Sequence, residues 1–190
     1  MNPTKVSIVV LGNWNPKIFT PQWVKTQIFG VKITDEIQGM VNFEDMDFAF
    51  SHEGITIAPK TNLVEIFMED FRLENCKKMA EIVINLLNIL PQTPLKGMGV
   101  NFRYIFNADE TNEFIIASKE RMKDFGELSL NQIRFSSQKK GFTLNILNEL
   151  LNSNEIAVSF NFHYSRVEDF TLESTDNHYT ETQKILNNGN

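Results

Sequence analysis

Residues 156–165, Ile156-Ala157-Val158-Ser159-Phe160-Asn161-Phe162-His163-Tyr164-Ser165, alternate apolar and polar side chains with a period of two. Successive side chains of a strand point to opposite faces. The stretch therefore predicts a strand with Val158, Phe160, Phe162 and Tyr164 turned inward and Ser159, Asn161, His163 and Ser165 turned outward. Such alternation belongs to antiparallel sheets that keep one face wet, since strands of parallel sheets are apolar on both sides. The same pattern recurs at 46–51, where Met46, Phe48 and Phe50 alternate with Asp45, Asp47, Ala49 and Ser51, and at 100–107, where Asn101, Arg103 and Asn107 share the polar phase.

Working outward, Lys139-Lys140-Gly141 reads as a hairpin turn between strands at 128–137 and 142–150, the second carrying Thr143 and Asn145 on its polar phase. His52-Glu53-Gly54 and Lys60-Thr61-Asn62 read as turns that lead into strands at 55–58 and 63–71, completing a meander. The run Lys5 to Leu11 predicts a buried strand. Gly97-Met98-Gly99 reads as a turn ahead of the strand at 100–107. Cys76, Met79, Ile82, Val83, Leu86, Leu87 and Leu90 recur at helical spacing, and Pro91 ends that helix. Thr20 before Pro21 is a helix start, with Trp23, Val24, Gln27 and Ile28 on one face and Phe29-Gly30 as the stop. Asp109 caps an expected helix bearing Phe114, Ile115, Ser118, Met122 and Phe125. A last helix is expected from Thr175 or Asp176 to Leu186.

These elements predict an α+β fold, a largely antiparallel sheet with helices on one face. Residues 1–92 and 93–190 both read strand, helix, three-strand meander, helix, which suggests a duplicated β-α-β-β-β-α unit within one continuous domain. In that alignment Ile8 and Val10 fall against Phe102 and Tyr104, Gly54 against Gly141, Phe29-Gly30 against Phe125-Gly126, and Val64, Ile66 and Met68 against Val158, Phe160 and Phe162.

Composition narrows the function classes. The chain has 190 residues, a single cysteine and a formal charge of −6. Cys76 cannot form an internal disulfide, which suits a reducing, cytoplasmic setting. Its place in the apolar stripe of its helix predicts an inert core thiol rather than a nucleophile activated by Lys77 and Lys78. The apolar run Val6 to Leu11 is too short for a signal segment or a membrane span. The negative charge argues against general affinity for nucleic acid, which rests on lysine and arginine displacing counterions.

The candidate binding face is the polar phase of the second half: Asn101, Arg103, Asn145, Ser159, Asn161 and His163. The acidic residues Asp45, Asp47, Glu65 and Glu69 are weak candidates for a hard metal, because their spacing fits no loop motif. The histidines at 52, 163 and 178 show no zinc spacing, and no cofactor motif is present. The loop holding Trp14, Ile18 and Phe19 reads as a structural plug.

The runs Leu11 to Pro21 (LGNWNPKIFTP), Ile89 to Pro94 (ILPQTP) and Gly97 to Tyr104 (GMGVNFRY) resemble a sporadically distributed family of uncharacterised prokaryotic proteins. The resemblance covers about half the chain in scattered pieces. It implies no activity or cofactor, and the patchy distribution fits mobile or defence-linked genes. The duplicated element order also resembles saddle-shaped folds such as the TATA-box-binding architecture, in order alone.

The expectation drawn from these residues is a non-enzymatic protein-interaction module, a scaffold, accessory subunit or sensor that works with a protein partner or as a homodimer and without a cofactor. The alternatives are a metal-assisted hydrolase that uses the acidic strands with His163 as acid-base, and a nucleic-acid binder that uses the sheet face. Phosphate contacts need basic residues, and the polar phase offers Arg103 against four carboxylates, so nucleic acid is disfavoured.

Overall fold

The apolar run near the N-terminus forms the middle of a sheet. In the computed structural model, which describes residues 1–32, 34–42, 47–107, 120, 132–152 and 155–187, β1 (Lys5–Gly12) pairs antiparallel with β5 (Leu63–Met68) on one side and with β6 (Leu95–Asn107) on the other. Beyond β5 lie β4 (Ile55–Pro59), β3 (Asp47–His52) and β2 (Gln38–Asn42). Beyond β6 lie β9 (Glu155–Tyr164), β8 (Thr143–Asn152) and β7 (Gln132–Gln138). The nine strands form one sheet in the order β2-β3-β4-β5-β1-β6-β9-β8-β7.

Period-two alternation gives this sheet one apolar face. Val6, Ile8, Val10, Ile66, Phe102, Tyr104, Phe160 and Phe162 are fully buried there, each removal from water being worth about 1.5–3 kcal/mol for a large aliphatic or aromatic side chain. Helix α2 (Leu73–Ile89) covers the first half with Cys76, Met79, Val83 and Leu86, and α3 (Ser174–Asn187) covers the second with His178, Thr182 and Leu186. Among the described residues the helices α2 and α3 therefore occupy one face, and no helix covers the other. Between β1 and β2 the chain starts a short helix, α1 (Pro21–Trp23), where the Thr20 hydroxyl accepts the Trp23 amide at 3.3 Å. It continues as a π-helical turn over Val24–Ile28 and stops before Gly30, whose positive φ of 66° glycine tolerates. Val24 and Ile28 are buried as expected, whereas Gln27 is exposed.

The tight turn at Glu53-Gly54, both at positive φ, joins β3 to β4 as a two-residue hairpin. The two halves share a register. Val6, Ile8 and Val10 stand opposite Met68, Ile66 and Val64, and Val100, Phe102 and Tyr104 opposite Phe162, Phe160 and Val158. Trp14 and Phe19 are buried, and the Trp14 Nε1–H donates to the Val10 carbonyl at 3.1 Å, so this loop plugs the sheet end.

Three expectations need correction. Gly97-Met98-Gly99 is no turn, because β6 begins at Leu95 and runs through it. The strand at 63–71 ends at Met68, leaving Glu69 exposed in a bend. The edge strand β2 has no counterpart in the sequence reading, since Gln38-Gly39-Met40-Val41-Asn42 carries little apolar alternation. The helix expected at 109–125 and residues 128–131 of the next strand fall where Glu120 alone is described.

Candidate functional site

The open face is built from the alternate residues of the strands that bury the core, so its layout follows from register. Ser7 on β1 is aligned with Asn101 on β6, Asn161 on β9, Asn145 on β8 and Ser136 on β7. These five side chains form a continuous hydrogen-bonded row across five strands. The Ser136 hydroxyl donates to Asn145 Oδ1 at 2.9 Å, and Asn145 Nδ2 to Asn161 Oδ1 at 3.2 Å. Asn161 Nδ2 then donates to Asn101 Oδ1 at 2.7 Å, and Asn101 Nδ2 to Ser7 Oγ at 3.2 Å. The three amides point the same way along the row.

An asparagine side chain has two N–H donors and an oxygen with two lone pairs, and the ladder uses one of each. Each of the three amides keeps a donor and an acceptor for another molecule, repeated at the inter-strand spacing of roughly 4.8 Å. The asparagines are half-buried, so ladder and neighbours restrict their rotamers before anything binds.

Two glycines of β6 leave room beside the row for side chains of β9. A Cβ at Gly99 would stand 2.8 Å from Asn161 Nδ2, and one at Gly97 would stand 3.1 Å from the Tyr164 carbonyl and 3.3 Å from His163 Cε1. Gly97 also has a φ of 146°, which side-chain-bearing residues rarely adopt. Glycine in mid-strand commonly marks close approach of another group. Here the space over β6 is filled by the side chains of Asn161 and His163 from β9.

The structure thus places Asn101, Asn145 and Asn161 in one row. His163 stands in the next row, opposite Gly99 and Thr143, and Arg103 and Ser159 stand opposite one another in the row on the other side. Charges on this face are matched locally. Arg103 meets Glu149 at 3.4 Å, Lys5 meets Glu65 at 2.9 Å and lies 4.5 Å above the Phe67 ring, and Lys60 pairs with Asp47. The acidic candidates are not gathered. Asp47 opens β3, Glu65 lies on β5 with β4 between, and Glu69 lies past the end of β5; Asp45 falls outside the described residues. Among the described residues no three His, Cys, Asp or Glu side chains come close enough to hold a metal ion.

Sequence reasoning missed Ser7 and Ser136, the two ends of the ladder. Ser7 carried a signal, since it interrupts an apolar run in the outward phase, but its partner on β6 depends on strand order. Beneath the sheet His178 stacks on Phe162 at 3.8 Å between ring centroids, and its Nε2 meets the Tyr164 hydroxyl. Burial pushes its imidazole down to about 4, while burial also pushes the Tyr104 hydroxyl, held 2.6 Å from Thr182 Oγ1, up to about 12. The Cys76 thiol is likewise pushed up to about 12 by burial, which keeps it protonated. No helix among the described residues is long and apolar enough to cross a membrane.

Comparison with the models of known protein families and with curated proteins finds no match to this chain.

Proposed function

We propose that this chain is a non-enzymatic interaction protein, a scaffold, accessory subunit or sensor, whose open sheet face receives a protein partner. The observation that carries the reading is the Ser136–Asn145–Asn161–Asn101–Ser7 ladder. A merely solvated face needs no such row, because water satisfies exposed amides at little cost. A ladder across five strands fixes each amide and leaves spare donors and acceptors in one line. Small-molecule sites are concave and mostly apolar, whereas this row lies on a broad sheet surface with paired charges, which suits a macromolecular partner.

The matching pairs of the β1–β5 and β6–β9 ladders support reading the two halves as copies of one β-α-β-β-β-α unit, with β2 an addition to the first. The second copy then acquired the amide row where the first holds Phe67 and Thr56. The buried, protonated Cys76 supports placement in a reducing cytoplasm.

The test is capture from native lysate with three forms of the protein. Wild type and Glu81→Arg, which alters an exposed position on α2, retain the same bound protein, and Ser159→Arg, which puts a bulky cation on the open face, loses it. Equal retention by all three, or capture of nothing by wild type, overturns the reading.

A further inference from the structure

Among the described residues nothing pairs with the outer edges of the two strands at the ends of the sheet. Edge strands expose unpaired N–H and C=O groups, and proteins usually blunt them with lysine, proline or a bulge. β2 (Gln-Gly-Met-Val-Asn) contains no charged residue and no proline, and β7 (Gln-Ile-Arg-Phe-Ser-Ser-Gln) contains Arg134 as its one charge. Neither pairs with its neighbour through a register shift. Among the described residues few large apolar side chains are well exposed, and three of them lie on these two strands: Met40 at 47%, Val41 at 56% and Phe135 at 37%.

Register places the last two on the same side of the sheet. Val41 stands opposite Phe48, which contacts Phe50 on the core side. Phe135 stands opposite Ile146, which is opposite the core residue Phe160. Both therefore face the helix-bearing side, one at each end. The ends also differ in charge. Residues 33–52 contain no lysine or arginine, with Asp35 and Glu36 just before β2, and residues 132–148 contain Arg134, Lys139 and Lys140 and no carboxylate.

We propose that copies of this chain associate head to tail, β2 of one molecule pairing with β7 of the next to continue the sheet. Eight successive antiparallel pairings leave β2 and β7 running in the same direction, so the new pair is parallel when the helices stay on one side. In that arrangement Val41 covers Phe135 and Ile133, and the β2 end, whose residues 33–52 hold no lysine or arginine, adjoins the β7 end, whose residues 132–148 hold no carboxylate. Two-fold pairing of β7 with its own copy would instead bring together two ends that each carry Arg134, Lys139 and Lys140, which charge disfavours. A head-to-tail contact leaves one free edge at each end of every oligomer it builds short of ring closure, so association proceeds beyond the dimer. This inference goes beyond the proposed function, since it uses the sheet's edges and not its open face.

Sedimentation velocity of wild type across concentration tests it. The weight-average mass rises above the 21.9 kDa of one chain as concentration increases, and the association weakens several-fold at about 0.5 M salt, where exposed charges are screened. Val41→Lys and Phe135→Glu each remain monomeric, and mixing them one to one restores association, because each supplies the edge that the other lacks. Continued dimerisation of Val41→Lys alone, or no association in the mixture, overturns the proposal, as does a monomeric wild type at all concentrations. Hydrogen exchange on wild type is independent of variant folding: amides of β2 and β7 gain protection at high concentration, and unchanged exchange at both edges overturns the proposal too. Ser159→Arg self-associates like wild type, so this proposal and the open-face reading fail separately.

Discussion

Helix α2 docks on the first half of the sheet through Cys76, Met79, Ala80, Val83 and Leu86, whereas α3 docks on the second half mainly through Ser174, Thr175, His178 and Thr182. The open face repeats the contrast. Where the first half has Thr56 and Phe67 beside Ser7, the second has Asn145 and Asn161 beside Asn101. The first half is held by apolar packing, and the second adds directional contacts to its own apolar core of Phe102, Phe160 and Phe162: Tyr104 with Thr182 and Tyr164 with His178 beneath the sheet, and the amide row above it. Apolar packing tolerates repacking of similar volume, but a hydrogen-bonded network fails when one member goes. The second half is therefore the more narrowly specified of the two, although a single cavity costs more in either core than a single lost hydrogen bond on the open face.

The largest effect expected from breaking this comparison is in the apolar half. Met79→Ala empties fully buried volume under β1 and β5 and costs about 2–5 kcal/mol in denaturant unfolding, the range for large-to-small core changes. The cost is independent of pH, which sets it apart from the next case.

Under the second half, His178 makes stability depend on pH. Its folded-state value of about 4 lies below the ordinary 6.5 because burial disfavours the imidazolium. Between those values the unfolded chain binds a proton that the folded chain does not. The stabilisation is complete above about pH 6.5 and falls by roughly 3 kcal/mol as pH drops to 4. Unfolding measured from pH 7.5 to 4 shows this loss in wild type, and His178→Phe flattens it. An unchanged slope in that variant would reassign the pH dependence to other groups.

On the open face, Asn161→Leu removes the middle of the ladder and leaves Asn145 Nδ2 and Asn101 Oδ1 without partners. Both are half-buried, so water replaces part of the loss, and the expected cost is about 1–2 kcal/mol. Gly99→Ala acts through the same contact, because its Cβ displaces Asn161. The two substitutions together cost less than their sum, and a double-mutant cycle that proves additive would separate the glycine from the ladder.

The smallest effect sharpens the contrast from the other side. Phe67→Asn puts an amide at the first-half position that matches Asn161 and removes the ring beneath Lys5. It costs about 1 kcal/mol or less, the size of an exposed cation–π contact. A loss as large as that of Met79→Ala would show that the open face of the first half is also tightly specified.

Much of this was legible before any coordinates. Period-two alternation at 156–165 and 100–107 separated the buried Phe160, Phe162, Phe102 and Tyr104 from the outward Asn161, His163, Asn101 and Arg103. Helical spacing around Cys76 and Leu86 marked α2, and Pro91 its end. Strand β2 was not legible, because five residues with a glycine at their second position hold too little pattern. Gly97 and Gly99 were misread because glycine ordinarily signals a turn, and their use as space for His163 and Asn161 involves residues more than sixty positions away.

Local patterns of apolar and polar residues by themselves determined which elements form and which side of each strand is wet, because side-chain direction follows backbone period. Only the tertiary structure decided that Ser7, Asn101, Asn161, Asn145 and Ser136 fall in one row, and that the uncharged β2 and the Arg134-bearing β7 lie at opposite ends. Those facts depend on strand order and register, which are set by the packing of the whole sheet against its helices and are written in no single stretch of chain.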